Sequence, residues 1–175
     1  MEEAHYLVIR AQNGDKEAYG QLYKTYYARI YRFCRINLSN NEAAEDVCQG
    51  VFIRAWKALP TFSEKNGGTF QAYIFRIARN LIIDISRKKK EVPIENAQYL
   101  ATDEDLLENL DRKNEIESVR NALGQLKEYD RQIIILRYFE DLSHAETASI
   151  MGIRQGALRV RTMRLLQKLK ELIRK

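Results

Sequence analysis

SHAETASIMGIRQGALRVRTMRLL, residues 143–166, is the stretch on which the fold turns. Ser143 followed by Glu146 is a capping box: the hydroxyl takes one orphan amide and the carboxylate reaches back to another. The helix it opens is short, Ala145 to Met151. Gly152 supplies a turn, where a positive φ costs a glycine little. A last helix then runs from about Gln155 to the end. A short helix, a glycine turn and a basic helix form the pattern of a helix-turn-helix. A plain helical hairpin shares the pattern.

At about 100° per residue the last helix sorts its side chains. Leu158, Thr162, Leu165, Leu169 and Leu172 share a face that must pack. Val160, Met163, Arg164 and Gln167 lie opposite, with Arg159 and Arg161 on the flanks. Arginine bonds guanine edges bidentately and small apolar groups touch the thymine methyl, so this outer face suits a major groove. A solvated helix face explains the charges but leaves Val160 and Met163 unexplained.

Upstream, helical periodicity continues. Ile116, Val119, Leu123 and Leu126 are followed by the Ile-rich Arg131 to Tyr138. In the first half, Tyr19, Leu22, Tyr23, Tyr26, Tyr27, Ile30, Phe33 and Cys34 recur at three and four residues and predict one apolar face. Ala44, Val47, Cys48, Val51, Phe52, Ala55 and Leu59 do the same, as do Phe70, Tyr73, Ile74, Ile77, Ala78, Leu81, Ile82 and Ile85. Ser39 with Glu42 predicts a capping box between the first two. Pro60 ends the second helix, and Thr61 to Thr69 reads as a loop with Gly67-Gly68 near its end. No alternating strand of any length occurs. The expected fold is all-α. Two small helical domains, residues 1–92 and 114–175, are joined by a flexible acidic linker, residues 93–113. A short helix is expected near Leu106 to Leu110.

Charge follows the same division. Residues 1–90 carry 15 basic and 9 acidic side chains, residues 91–118 carry 2 and 9, and residues 119–175 carry 12 and 6. Two basic blocks around an acidic strip suggest two modules that meet one polyanion, with a linker that stays off it. Ordinary solvated surface would also give a net charge of +5.

The remaining composition excludes other classes. With 2 prolines and 8 glycines in 175 residues the chain is not collagenous, low-complexity or turn-dense all-β. Its longest uncharged aliphatic run, Ile133 to Leu136, is far short of the roughly 20 apolar residues of a membrane span. Glu2, Glu3 and His5 stand where a signal peptide would be basic, so the expected location is the cytoplasm, without membrane insertion. Cys34 and Cys48 read as small buried apolar residues, and His5 and His144 are isolated, so neither a metal nor another cofactor is expected. Asp46 and Asp84 lack a nearby His or Cys base, and there is no phosphate-cradling glycine loop. The chain is therefore not expected to be an enzyme or to take a small-molecule substrate.

With these motifs in view, the chain resembles bacterial sigma factors of the extracytoplasmic-function (ECF) group, over nearly its whole length. Glu45-Asp46-Val47-Cys48-Gln49-Gly50-Val51-Phe52-Ile53-Arg54-Ala55-Trp56 looks like the family's helix for the clamp helices of RNA polymerase. Phe70 to Asn80, with Asp84 and Arg87-Lys88-Lys89, looks like the helix that melts and reads the minus-10 element. Leu126, Arg131, Ile133, Leu136, Leu142-Ser143 and Glu146 to Gly156 look like the minus-35 helix-turn-helix domain. Three such motifs in order are far more specific than one. The alternative is a helix-turn-helix regulator that acts without polymerase docking, and the clamp-like motif argues against it.

The resemblance implies a factor that binds core polymerase at the beta-prime clamp helices and the beta flap, directs it to promoters and promotes melting. An anti-sigma factor is implied as a further partner. Polymerase docking is carried over onto Asp46, Gln49, Phe52, Arg54 and Trp56. The minus-10 element falls to Phe62, Ser63, Lys65, Asn66, Tyr73, Arg76, Arg79, Asn80, Arg87 and Lys88. In that reading aromatics stack on unstacked bases, cations hold phosphates, and the loop Ser63 to Gly68 captures a flipped base with Asn80 as polar partner. Tyr73 and Phe75 fit either core packing or stacking. The minus-35 element falls to Arg154, Gln155, Gly156, Ala157, Arg159, Val160, Arg161, Met163 and Arg164. Arg164 is expected on a base edge and Arg161 on phosphate; Arg159 is expected on phosphate but also within reach of a base. The chain departs from the family at Gly50, usually Glu, and at Tyr73, usually Trp. It also departs at Ala157-Leu158, usually Thr-Val, and at Val160, usually Ser, so relatives do not supply its promoter sequence.

Overall fold

The structure is a computed structural model and describes residues 2–38, 40–63, 68–90 and 118–173. Among them every regular element is helical. The chain divides at Ala97/Gln98 into two units. The expected linker, and the short helix near Leu106, lie outside the described residues.

The first unit holds α1 (Glu2–Gln12), α2 (Lys16–Asn37), α3 (Asn41–Ala58), a 3₁₀ turn (Leu59–Thr61) and α4 (Phe70–Lys90). The junction of α1 and α2 is fixed by one carboxylate. Asp15 Oδ1 accepts the amides of Glu17 and Ala18 at 3.0 Å, the N-cap arrangement. Its Oδ2 takes the Arg10 guanidinium at 2.6 and 2.8 Å. The Ala18 amide, then Arg10, hold the Asp15 carboxyl below its ordinary value. Gly14 enters this cap at φ +90°, a conformation other residues rarely adopt.

In α2 the apolar stripe divides. Leu22, Tyr26, Ile30, Phe33 and Cys34 face the core. Tyr23, expected among them, is exposed, and the rings of Tyr23, Tyr27 and Tyr31 run in series along the flank. Tyrosine at four-residue spacing satisfies both settings, because its ring packs while its hydroxyl stays wet. The N-cap of α3 is Asn40, whose side chain accepts the Ala43 amide at 2.8 Å. This corrects the expected Ser39–Glu42 box; Ser39 itself lies outside the described residues. The unit closes over Phe33, Phe70, Phe75, Leu22, Ile30, Ile74 and Ile82, all fully buried. Each such side chain contributes roughly 1.5–3 kcal/mol by burial.

The second unit comprises a helix α5 over 118–124, α6 (Glu128–Ile134), a π-helical turn (Ile135–Phe139), α7 (His144–Met151) and α8 (Gln155–Ile173). The expected helix from Arg131 to Tyr138 thus begins earlier and finishes in a widened turn, with the Glu140 amide bonded to Ile135 O at 3.0 Å. Asp141 follows at φ 50°, and the Arg137 guanidinium closes the bend by donating to Leu142 O. Ile133, Ile135, Leu136, Leu142 and Leu158 are fully buried at the centre.

Candidate polymerase and nucleic-acid interfaces

The α7–turn–α8 segment follows its sequence closely. Ser143 Oγ accepts the Glu146 amide at 3.1 Å, and Glu146 Oε2 accepts the Ser143 amide at 2.8 Å. Gly152 takes φ +69° and caps α7, its amide donating to Ala148 O. The Ile153 amide donates to the same carbonyl at 3.1 Å. On α8, Leu158, Thr162, Leu165 and Leu169 are buried. Opposite them Val160 is 47% and Met163 66% exposed. Arg154, Gln155, Gly156, Ala157, Arg159 and Arg164 are exposed as well. The result is a rigid helix carrying arginine beside apolar groups on its outer face.

Arg161 differs from the rest of this set. Its Nε donates to Asp130 Oδ1 at 2.6 Å, and its guanidinium lies over the Tyr129 ring at 4.7 Å. The Asp130 bond raises the Arg161 pKa. His144, at the start of α7, has its pKa lowered by burial and by the charges of Arg137 and Arg159.

In the first unit the residues expected at the minus-10 element run from the segment before α4 along the length of that helix. Thr69 Oγ1 accepts the Ala72 amide at 3.1 Å and opens the helix. Phe62 and Tyr73 pack at 4.6 Å between ring centroids, and Phe62 meets Phe70 edge-on at 6.0 Å. Partial burial raises the Tyr73 phenol. Tyr73, Arg76 and Arg79 are half-buried, while Ser63, Asn80 and Arg87 are exposed. Phe75 is fully buried, edge-on to Phe33 at 5.4 Å, so its role is core packing. Lys65, Asn66 and the side chain of Lys88 lie outside the described residues.

Gln12 holds this corner and was not singled out by the sequence. Its amide donates to Leu59 O at 3.0 Å and to Phe62 O at 2.7 Å. Its partners lie 47 and 50 residues away, beyond any local pattern.

On α3, Asp46, Gln49 and Arg54 are exposed and Trp56 is half-buried against Tyr19 at 4.7 Å. Phe52 is only 4% exposed and packs against Tyr23 at 4.7 Å. It braces the helix from within and reaches the face of the expected docking set only where it lines the groove beside Ile53. Ile53, 56% exposed between these polar positions, is the residue the sequence reading passed over. Its signal was present: an isoleucine out of phase with the buried face. Lys16, Tyr19, Phe52, Ile53 and Trp56 line a shallow apolar groove of about 340 Å³. Tyr19 Oη donates to Phe52 O at 2.5 Å, and burial raises its pKa strongly. Burial likewise pushes the Cys48 thiol up to about 12.

Among the described residues no cluster of metal-ligating side chains occurs, and no helix is long and apolar enough to cross a membrane. Residues 22–92 match the family Sigma-70 region 2, and residues 116–169 match Sigma-70, region 4. RNA polymerase sigma-H factor of Pseudomonas aeruginosa is 31% identical over 175 residues, 93% of this chain and 90% of the relative. The ECF RNA polymerase sigma factor BldN of Streptomyces coelicolor is 32% identical across 95% of this chain. The chain spans 64% of the length of BldN. The solved structure of CnrH with the cytosolic domain of CnrY matches with a TM-score of 0.73 at 25% identity, covering 98% of this chain and 97% of that one. The chain belongs to the sigma-70 family of RNA polymerase sigma factors, which direct the polymerase to promoters, and ECF members stand among its relatives.

Proposed function

We propose that the two units divide the promoter between them, residues 1–92 taking the polymerase clamp and the minus-10 element and residues 114–175 the minus-35 element. The observation that carries this reading is the outer face of α8, where Val160, Met163 and Arg164 stand exposed opposite a buried leucine stripe. Apolar side chains at the centre of a basic face can meet the thymine methyl while arginine takes a base edge. Arg154, Gln155, Gly156, Ala157 and Arg159 extend that face along the groove.

In the first unit, the packed Phe62–Tyr73 pair offers a platform for unstacked bases. Arg76, Arg79 and Arg87 supply phosphate contacts, and Asn80 a polar partner. Polymerase docks on Asp46, Gln49, Ile53, Arg54 and Trp56 of α3. The factor acts by binding, without catalytic chemistry of its own, in the cytoplasm. CnrH was solved in complex with the cytosolic domain of CnrY, and a protein partner of this kind, an anti-sigma factor, is proposed for this chain as well. The acidic strip of residues 91–118 keeps that segment off DNA, and neutralising Asp103, Glu104 and Asp105 raises non-specific DNA affinity.

Run-off transcription from genomic DNA with core polymerase tests the reading. Transcripts that start downstream of a shared pair of elements are expected. In a separate titration with core polymerase, Asp46→Arg is expected to weaken core binding with unchanged circular dichroism. Full core affinity in that variant removes α3 from the docking surface.

A further inference from the structure

Arg161 is placed to reach DNA, yet it turns back toward the protein. Its two partners, Asp130 and Tyr129, sit together on α6, and Asp130 lies 31 residues earlier in the chain. The tie continues beyond them, because the Tyr129 hydroxyl donates to Met151 O at 3.3 Å, the last residue of α7. One arginine thus fastens α8 to α6, and the same tyrosine fastens α6 to α7. Asp130 is the more sheltered member of the pair, its side chain 17% exposed against 46% for Arg161. An exposed ion pair alone adds little, because water competes for both charges. Here a ring face lies under the guanidinium and a hydrogen bond anchors the ring, so the arginine is held from two directions. The pair also carries no net charge, so it offers the DNA backbone no counterion release.

We propose that Arg161 is a positioning residue for minus-35 recognition, setting the angle of α8 against α6 and α7 through Asp130 and Tyr129 without a phosphate contact of its own. This rests on the reading of α8 as the groove-facing helix. It separates Arg161 from Arg159 and Arg164, which stand on the same helix and face outward. It also replaces the phosphate role that helical phase alone gave to Arg161.

The test uses holoenzyme reconstituted from the full chain and core polymerase, titrated with promoter and random duplexes across a salt series. Asp130→Asn combined with Arg161→Gln removes both charges, with Asn keeping the shape of Asp and Gln a shorter polar side chain in place of the guanidinium. The expected result is about a tenfold loss of affinity for the promoter, unchanged affinity for random duplex, and an unchanged slope of log affinity against log salt. If Arg161 holds a phosphate, that slope shrinks by about 0.9 and both duplexes weaken alike, which overturns the proposal. Should circular dichroism show that the neutral pair unfolds the unit, the reversed pair Asp130→Arg with Arg161→Asp serves instead. Recovery of promoter affinity above Arg161→Asp alone supports the proposal, and no recovery overturns it. A wild-type holoenzyme that selects no common minus-35 sequence removes the reading of α8 and this proposal together. Selection by the wild type with a shrunken slope in the double variant removes this proposal alone.

Discussion

The aromatic corner of the first unit and the outer face of α8 are built in opposite ways. Phe62 and Tyr73 are half-buried, packed on one another and on Phe70, and backed by the Gln12 amide. Val160, Met163 and Arg164 stand in the open on a helix whose other side is locked by leucines. The difference follows from the proposed ligands. A base pulled from its stack needs a flat surface already in place, since ordering that surface at the moment of melting would cost conformational entropy. A base still paired in a groove presents only its edge, so the reader must project.

The comparison breaks first at Phe75. As a core residue, Phe75→Ala should destabilise the first unit by about 3–5 kcal/mol in denaturant titration and leave the unfolding of the second unit unchanged. A loss below about 1 kcal/mol would return Phe75 to the stacking surface. Next is Arg164→Ala, expected to cost about 1–3 kcal/mol and to relax preference at one minus-35 position. Selection from a library randomised across that region reads this out. An unchanged selected sequence would mean that the outer face of α8 is wrongly assigned.

Gly50 gives a smaller effect of the opposite sign. It sits mid-helix in α3, where a Cβ would meet only Leu81 Cδ1 at an ordinary 3.7 Å. Gly50→Ala should therefore stabilise the first unit by about 1 kcal/mol. A lower melting temperature would show that the glycine is required by packing.

The last effect is confined to alkaline pH. Burial raises the Cys48 thiol from 9.0 to about 12, so between those values the folded chain keeps a proton that the unfolded chain has lost. Stability from this source is complete below pH 9 and falls as pH rises toward 12. Cys34, also raised by burial, adds to the trend. The denaturation midpoint of Cys34→Ala/Cys48→Ala should depend less on pH across this window than that of the wild type. Equal dependence in the two proteins would contradict it.

What the sequence made legible was local. The Ser143–Glu146 box, the Gly152 turn and the phase of α8 each depend on residues within one or two turns, where periodicity and capping chemistry suffice. Asn40 displaced Ser39 as a cap because both side chains can accept an amide, and spacing to Glu42 does not rank them. The pairings of Gln12 with Phe62 and of Arg161 with Asp130 join distant segments, and no helical pattern encodes such meetings. Tyr23 misled for a further reason. Periodicity marks an apolar stripe but does not say which edge of the stripe meets water.

The brevity of α7 has a consequence in time. Eight residues are too few to hold a helix alone in water. This one exists because Ser143 closes its start, Gly152 its end, and Thr147, Ala148, Ile150 and Met151 are covered. Tyr129 grips its last carbonyl as well. The amides of Thr147 to Met151 are therefore expected to exchange with solvent through opening of the second unit and not by fraying, which hydrogen exchange would read.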